Sequence, residues 1–341
     1  MFDSSTSQLP LDENAGAGLH TNESLLAGRY QVFKVLGRGG FGITYLARNI
    51  YLPGRPLCVI KHLAPQFTSP TLLTIAKWRF HVEARTLSKL GSHSQVPLLI
   101  DYFREDQEMY LVQEYIPGET LWSQVHDREC LSEEQVSEFL ADLLKLLHYI
   151  HSHRIIHRDI KPQNVIRCLT DNRLVLIDYG AVFDKGGLVP ADKRLSTKAI
   201  GSPGYAPPEQ VAEKPTCASD LYSLGMTCLF LLTGKEPLNF DVSLHTGEII
   251  WQSATDVSDG FANLINQMIK VSLSDRYQSA MQALNALDSC RIRNKLRQVH
   301  KYQYQTNPIS SNLGSDSGLP RQHLPSAVQW AIEMSTSGEI R

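Results

Sequence analysis

The sequence runs to 341 residues, 42% of them hydrophobic and 20% charged, with a formal net charge of −2. That length accommodates one large domain or two lobes with real cores, and the near-neutral balance gives no reason to expect nucleic acid or an anionic membrane as a general partner. Six scattered cysteines without C-x-x-C spacing argue against a zinc site or disulfide framework and fit a reducing cytoplasm. No stretch has the form of a signal peptide, and no apolar run approaches the roughly 20 residues of a membrane span.

Residues 1–28 are rich in Ser, Asn, Gly and Ala and read as a flexible leader. From Tyr30 the pattern changes. Gln31–Leu36 and Ile43–Arg48 read as two strands around Gly37-Arg38-Gly39-Gly40-Phe41-Gly42, and Leu57–Lys61 as a third strand beyond the turn at Pro53-Gly54. The glycine segment fits G-x-G-x-x-G. A dinucleotide-binding fingerprint would be followed by a helix, whereas this one lies between strands. Taken alone, the segment serves equally an ordinary tight hairpin turn or a phosphate-covering loop whose backbone N–H groups approach closely. Lys61, closing the next strand, favours the second reading and requires a carboxylate to hold it. Ile75–Leu90 reads as a helix, and Glu83 on it is the candidate, although a solvated helix charge is the ordinary fate of a Glu.

Leu98–Phe103 and Met109–Tyr115 complete a small antiparallel sheet. Ser132 is a plausible N-cap for a helix with an acidic first turn, Glu133-Glu134. Val136, Phe139, Leu140, Leu143, Leu144, Leu147 and Ile150 recur on it at helical spacing and form a buried face. His148, His151 and His153 near its end lack the carboxylate or cysteine company of a metal cluster and suit the electrostatics of a helix C-terminus.

This helix delivers the chain to His157-Arg158-Asp159-Ile160-Lys161-Pro162-Gln163-Asn164-Val165-Ile166. A short buried strand, Leu174–Ile177, then ends at Asp178-Tyr179-Gly180. Phosphoryl transfer needs this set of groups. One carboxylate orients an attacking hydroxyl, a cation neutralises the γ-phosphate, and an Asn with a second Asp holds Mg²⁺. The loop 181–205 that follows has no periodicity, and loops this long tend to be functional. Beyond Arg291 the composition turns polar, so residues 291–341 read as a disordered tail with a short amphipathic helix at 326–334.

The glycine segment, Lys61, the His157–Asn164 loop, Asp178-Tyr179-Gly180 and the stretch Gly201–Glu209 occur in the order found in eukaryotic-type serine/threonine protein kinases, which the chain resembles over about residues 29–290. Gly37–Ala47 also looks like the bacterial, particularly cyanobacterial, branch. The resemblance implies an α+β, bilobal fold: a β-rich N-lobe at 29–113 with one main helix, a hinge at 114–118 and a mostly helical C-lobe at 119–290. It implies ATP as the phosphate donor, with Mg²⁺ or Mn²⁺, and proteins bearing Ser or Thr as acceptors. A transient dimer would serve autophosphorylation. By resemblance Asp159, Lys161 and Asn164 are catalytic, and Asn164 and Asp178 ligate the metal. Gly37, Arg38, Gly39, Gly40, Phe41, Gly42, Thr44, Val59, Lys61, Glu83, Gln113 (the gatekeeper), Glu114, Ile116 and Ile166 surround the nucleotide. Glu119 either faces the ribose or is a solvated turn residue. Asp220 braces the catalytic-loop backbone, Arg276 pairs with Glu209, and Ser202 faces Asp159 and Lys161. Arg158 either pairs with a phosphate on Ser196 or Thr197 or bonds backbone carbonyls.

Some positions depart from the family pattern. Tyr179 replaces Phe in the metal motif, so its hydroxyl needs a partner. Val59 and Thr44 reshape the adenine pocket, and Pro207 and Ser202 replace common Ala and Thr. None removes a catalytic group. A pseudokinase would usually have lost one of Lys61, Glu83, Asp159, Asn164 or Asp178, and a small-molecule phosphotransferase of this kind would lack Gly201–Glu209.

Overall fold

The computed structural model describes residues 25–66, 69–91, 93–184 and 201–306, the side chains of 297–306 excepted. The chain divides at Ile292 into two units, Met1–Ile292 and Arg293–Arg341.

The first unit opens on a five-stranded antiparallel sheet in the order β1-β2-β3-β5-β4, formed by β1 (Tyr30–Gly39), β2 (Gly42–Asn49), β3 (Leu57–Leu63), β4 (Leu99–Glu105) and β5 (Glu108–Glu114). Pairing of β1 with β2 runs as far as Gly39 opposite Gly42, leaving Gly40 and Phe41 as the turn. Helix α1 (Pro70–Leu90) buries Ala76, Phe80, Ala84, Leu87 and Leu90. It begins five residues before the apolar pattern does, because Pro70 at the first position is pre-set for helix while most of the first turn is exposed and carries no periodic signal. Gly91, at φ +60°, ends it by donating its N–H to the carbonyl of Leu87.

Strand β6 (Gly118–Thr120) leads into α2 (Leu121–Asp127), whose N-cap Thr120 accepts the Ser123 N–H at 3.1 Å. Helix α3 (Glu133–Ser152) starts with a full capping box: Ser132 Oγ accepts the Gln135 N–H, and the Gln135 side chain accepts the Ser132 N–H. Its buried face holds all seven apolar residues whose spacing announced it. Each fully buried leucine there contributes about 1.5–3 kcal/mol. It packs on α5 (Cys217–Thr233), which is buried over nearly its whole length and ends at Gly234, φ +68°.

Between these helices lie β7 (Ile155–Ile156), β8 (Val165–Cys168), β9 (Leu174–Leu176), β10 (Phe183–Asp184) and the short α4 (Pro208–Val211). Strands β6, β8 and β9 form a small antiparallel sheet, and β7 pairs with β10. After α5 come a hairpin of β11 (Asp241–Val242) with β12 (Ile249–Ile250), then α6 (Asp259–Met268) and α7 (Ala280–Thr306). A sheet-rich lobe followed by a helical lobe is the α+β bilobal architecture expected.

At the C-terminal side the structure differs from expectation. Helix α7 continues through Thr306 rather than giving way at 291. Its buried stripe of Ala283, Leu284, Leu287 and Cys290 ends there, and the mostly polar sequence beyond carries no apolar period by which to recognise a helix. The stretch 326–334 lies outside the described residues. Among the described residues, no helix is long and apolar enough to cross a membrane.

Candidate active site

A cleft of about 770 Å³ lies between the five-stranded sheet and the helical lobe. Gly39, Gly40, Phe41, Gly42 and Thr44 line it from β1–β2, Val59 and Lys61 from β3, and Glu83 from α1. Gln113 and Glu114 line it from the end of β5, Ile116 from the segment that follows, and Asp159, Asn164, Ile166 and Asp178 from the helical lobe.

Strand pairing places Lys61 between Thr44 and Leu111 in the middle of the sheet. Its ammonium donates to Glu83 Oε1 at 2.5 Å and to Asp178 Oδ1 at 3.1 Å. Burial alone would lower the Lys61 pKa, but the carboxylates of Asp178 and Glu83 overcome this and raise it. Conversely, the Lys61 ammonium holds Asp178 down at about 2 against the effect of burial. Burial pushes Glu83 up, and Lys61 opposes the push. Three groups distant in sequence thus meet in one cluster, with Asp178 deprotonated beside the Lys61 ammonium.

The His157–Asn164 loop is held from below. Asp220, fully buried on α5, accepts the backbone N–H of His157 at 2.9 Å and of Arg158 at 2.8 Å, and bonds His151 Nε2 at 2.8 Å. Burial would raise the Asp220 pKa, but His151 and these bonds lower it. His151 itself rises to about 9, its bond to Asp220 outweighing its own burial. This use of one of the three helix-end histidines was not legible from spacing. Arg158 and Asp178 both adopt left-handed backbone, φ +68° and +67°. Such conformations persist in non-glycine residues only where the surroundings enforce them.

Above this support, Asp159 Oδ1 accepts the Ser202 hydroxyl at 2.8 Å, and Asp159 Oδ2 pairs with Lys161 Nζ at 2.9 Å. Lys161 also donates to Ser202 Oγ at 2.7 Å. The Asn164 amide donates to the Asp159 carbonyl at 2.8 Å and to Oδ2 at 3.0 Å, which leaves its own carbonyl oxygen, without a hydrogen-bond donor among the described residues, able to face a cation. Arg276 and Glu209 form a two-point ion pair at 2.7 and 3.0 Å beneath the Gly201–Glu209 segment.

Other expected contacts fall elsewhere. Gly37, Arg38 and Glu119 stand off the cleft. Alternation along β6 turns Gly118 and Thr120 to the cleft and Glu119 away, where it bonds Arg128 at 3.0 Å. Glu114 presents only its backbone, because its carboxylate binds the Leu98 N–H and Arg173. Arg158 donates Nε to the Ala181 carbonyl at 2.5 Å and Nη2 to that of Val182 at 3.0 Å. Ser196 and Thr197 lie outside the described residues. The Tyr179 hydroxyl is buried without a partner among the described residues, as is His157 Nε2, and their rings meet edge-on at 4.9 Å.

The architecture and this arrangement coincide with one family. A model of the protein kinase domain matches residues 30–287. The chain belongs to the protein kinase family. This kinase domain is 47% identical over 272 residues to serine/threonine-protein kinase B of Synechocystis sp., covering 78% of this chain and 47% of that protein. It is 44% identical over 269 residues to serine/threonine-protein kinase PknA of Nostoc sp., covering 78% and 48%. Mouse Aurora kinase C is 27% identical over 259 residues, covering 74% of the chain and 88% of that kinase. The cyanobacterial likeness read in the glycine segment is therefore met, and the chain spans about half the length of the cyanobacterial relatives it matches. The family uses ATP with a divalent metal.

Proposed function

We propose that the chain is an active serine/threonine protein kinase that transfers the γ-phosphate of ATP to Ser or Thr hydroxyls of proteins. The observation that carries this reading is the joint presence, in one cleft, of the Lys61–Glu83–Asp178 cluster, which joins its two walls, and of Asp159 beside Lys161 on the helical wall. The cleft fits the nucleotide. Its volume is that of a cofactor site, and the buried Gln113 side-chain carbonyl lining it lacks a partner among the described residues, as an acceptor for a ligand N–H would. Asn164 and Asp178 supply a small, all-oxygen set of the kind Mg²⁺ accepts while keeping most of its waters, and Mn²⁺ suits the same donors. Bound there, the metal would neutralise phosphate charge.

The protein's own groups perform the remaining work. Lys61, fixed by Glu83, is placed to hold nucleotide phosphates. Asp159 orients the acceptor hydroxyl and takes its proton, and Lys161 offsets charge developing between donor and acceptor. Ser202 sets a hydroxyl against Asp159, whose carboxylate thus accepts an O–H at 2.8 Å.

Six free cysteines support a reducing, cytoplasmic setting. Phosphorylation of Ser196 or Thr197, with a transient dimer for autophosphorylation, extends the proposal. In its favour, burial and the neighbouring Arg79 guanidinium lower the Arg158 pKa to about 10, a crowding of cations that a phosphate would relieve. Mass spectrometry of the autophosphorylated protein and a Ser196→Ala/Thr197→Ala double variant test that extension, and full activity in the double variant would remove it.

The central test is incubation of purified protein with labelled ATP, Mg²⁺ and a generic protein substrate, beside Asp159→Asn. Transfer by the wild type and its loss in the variant, by about three orders of magnitude or more, is expected. Equal transfer by both would sink the assignment.

A further inference from the structure

Two acidic residues flank α2, and they are treated differently. Glu119 is neutralised by Arg128 at 3.0 Å. Glu236, in the turn after α5, has no Lys, Arg or His partner among the described residues. Its carboxylate is instead held by two neutral aromatic donors from separate regions of the fold. Trp122 Nε1 donates to Oε1 at 3.1 Å, and the Tyr205 hydroxyl donates to Oε2 at 3.3 Å.

Both donors are themselves fixed. Trp122 stacks on His126 with ring centroids 4.5 Å apart, and Tyr205 is only 4% exposed. Burial and the Glu236 charge raise the Tyr205 pKa, so the phenol remains a donor at every working pH. The adjacent Lys235 is exposed and forms no ion pair with Glu236. The two donors occupy about half of a carboxylate's acceptor sites. They fix its direction while leaving the half-buried carboxylate without a counter-ion among the described residues.

Its position relates that charge to the chemistry. Tyr205 lies three residues along the chain from Ser202, whose hydroxyl rests on Asp159. The same segment packs on the Glu236 turn: a Cβ at Gly204 would lie 2.6 Å from Pro237 Cβ, so only glycine allows this approach. At about 3.3 Å per extended residue, a substrate chain with its hydroxyl at Asp159 brings a residue a few positions away within reach of Glu236.

We propose that Glu236 is a specificity-determining residue that receives a basic side chain, arginine above all, of the protein substrate. An arginine fork matches the two oxygens that Trp122 and Tyr205 orient. The assignment rests on the kinase reading above.

The test uses the whole chain, as wild type, Glu236→Gln and Glu236→Lys, with Ser-containing peptides carrying Arg, Gln or Glu at each neighbouring position in turn. One position is expected at which Arg lowers the wild-type KM about tenfold relative to Gln. That ratio should collapse toward one in Glu236→Gln and favour Glu in Glu236→Lys, with the change in KM rather than kcat. Retention of the Arg preference in Glu236→Gln overturns the inference. So does a fall in kcat on every peptide with the ratio kept, which marks a purely structural bridge. A wild type that phosphorylates Arg and Gln peptides with equal KM also overturns it while leaving the kinase reading intact. Failure of the wild type to phosphorylate itself or any peptide overturns both.

Discussion

The two walls of the cleft are built on opposite principles. At the tip of the β1–β2 hairpin, a Cβ added at Gly37, Gly39 or Gly40 would meet nothing within 4 Å, and Phe41 is 49% exposed. Nothing in the surrounding protein demands glycine there, so the reason lies in what the loop must approach or how it must move. Across the cleft, His157–Asn164 is tied to buried Asp220 through two backbone N–H groups, and Arg158 and Asp178 are held in left-handed conformations. On the proposed function, a cover over a nucleotide tolerates slack, whereas a base that must meet a hydroxyl at hydrogen-bond distance does not, and the buried Asp220 brace lies under the second.

Removing that brace breaks the contrast most severely. Asp220→Asn leaves three donors facing a side chain with one acceptor oxygen and an amide of its own. We expect a loss of about 3–5 kcal/mol in urea unfolding, with kcat falling more than KM for ATP rises. An unchanged unfolding midpoint would show the catalytic loop to be self-supporting.

Within the hairpin itself, one glycine belongs to the rigid regime. A Cβ at Gly42 would lie 2.0 Å from the His62 carbonyl oxygen on β3, so Gly42→Ala must push β2 and β3 apart. The expected cost is about 1–3 kcal/mol in thermal melts. Gly40→Ala should change stability by less than about 0.5 kcal/mol and show itself only in nucleotide affinity. Equal melting shifts for the two variants would remove the distinction between a covering loop and a structural strand end.

The brace also carries a pH signature. His151 has its pKa raised to about 9, above its ordinary value of 6.5, so its charged pairing with Asp220 contributes fully below 6.5. The contribution fades as pH rises through about 9, by at most about 1.4 kcal/mol per unit. The stability difference between wild type and His151→Gln should therefore be constant on the acid side and shrink between neutral pH and 9. A difference that stays flat over that interval would mean His151 is neutral in the fold.

Which of these features the sequence disclosed follows from how far apart their components lie. Asp159, Lys161 and Asn164 fall within six residues, so spacing alone shows them as a set, and the capping box at Ser132 and the apolar face of α3 are equally local. Lys61 with Glu83 was readable because the helix after the lysine strand offers few carboxylates. The orientation of Glu119 was not, since a three-residue strand gives too short an alternation to assign a face. The convergence of Trp122, Tyr205 and Glu236 joins residues 114 and 31 positions apart, and no local pattern encodes it. Nor does any pattern show that Arg158 commits its guanidinium to the carbonyls of Ala181 and Val182.

A gain in stability, and not a loss, is expected from a flaw in the rigid wall. Tyr179 is 1% exposed, and its hydroxyl finds no partner among the described residues, while its ring meets His157, whose Nε2 is also unpartnered. Burial raises the Tyr179 pKa, so the group is a neutral phenol rather than a hidden charge. Burial also lowers the His157 pKa and keeps that ring neutral. An orphaned buried hydroxyl costs about 1–3 kcal/mol, whereas an apolar replacement of the same shape carries no such penalty. Tyr179→Phe keeps the ring that packs beside Asp178 and removes only the oxygen. It should raise the unfolding free energy by about 1 kcal/mol and leave KM for ATP unchanged. A loss of stability would instead show that the hydroxyl is satisfied in solution, by a water held between it and His157.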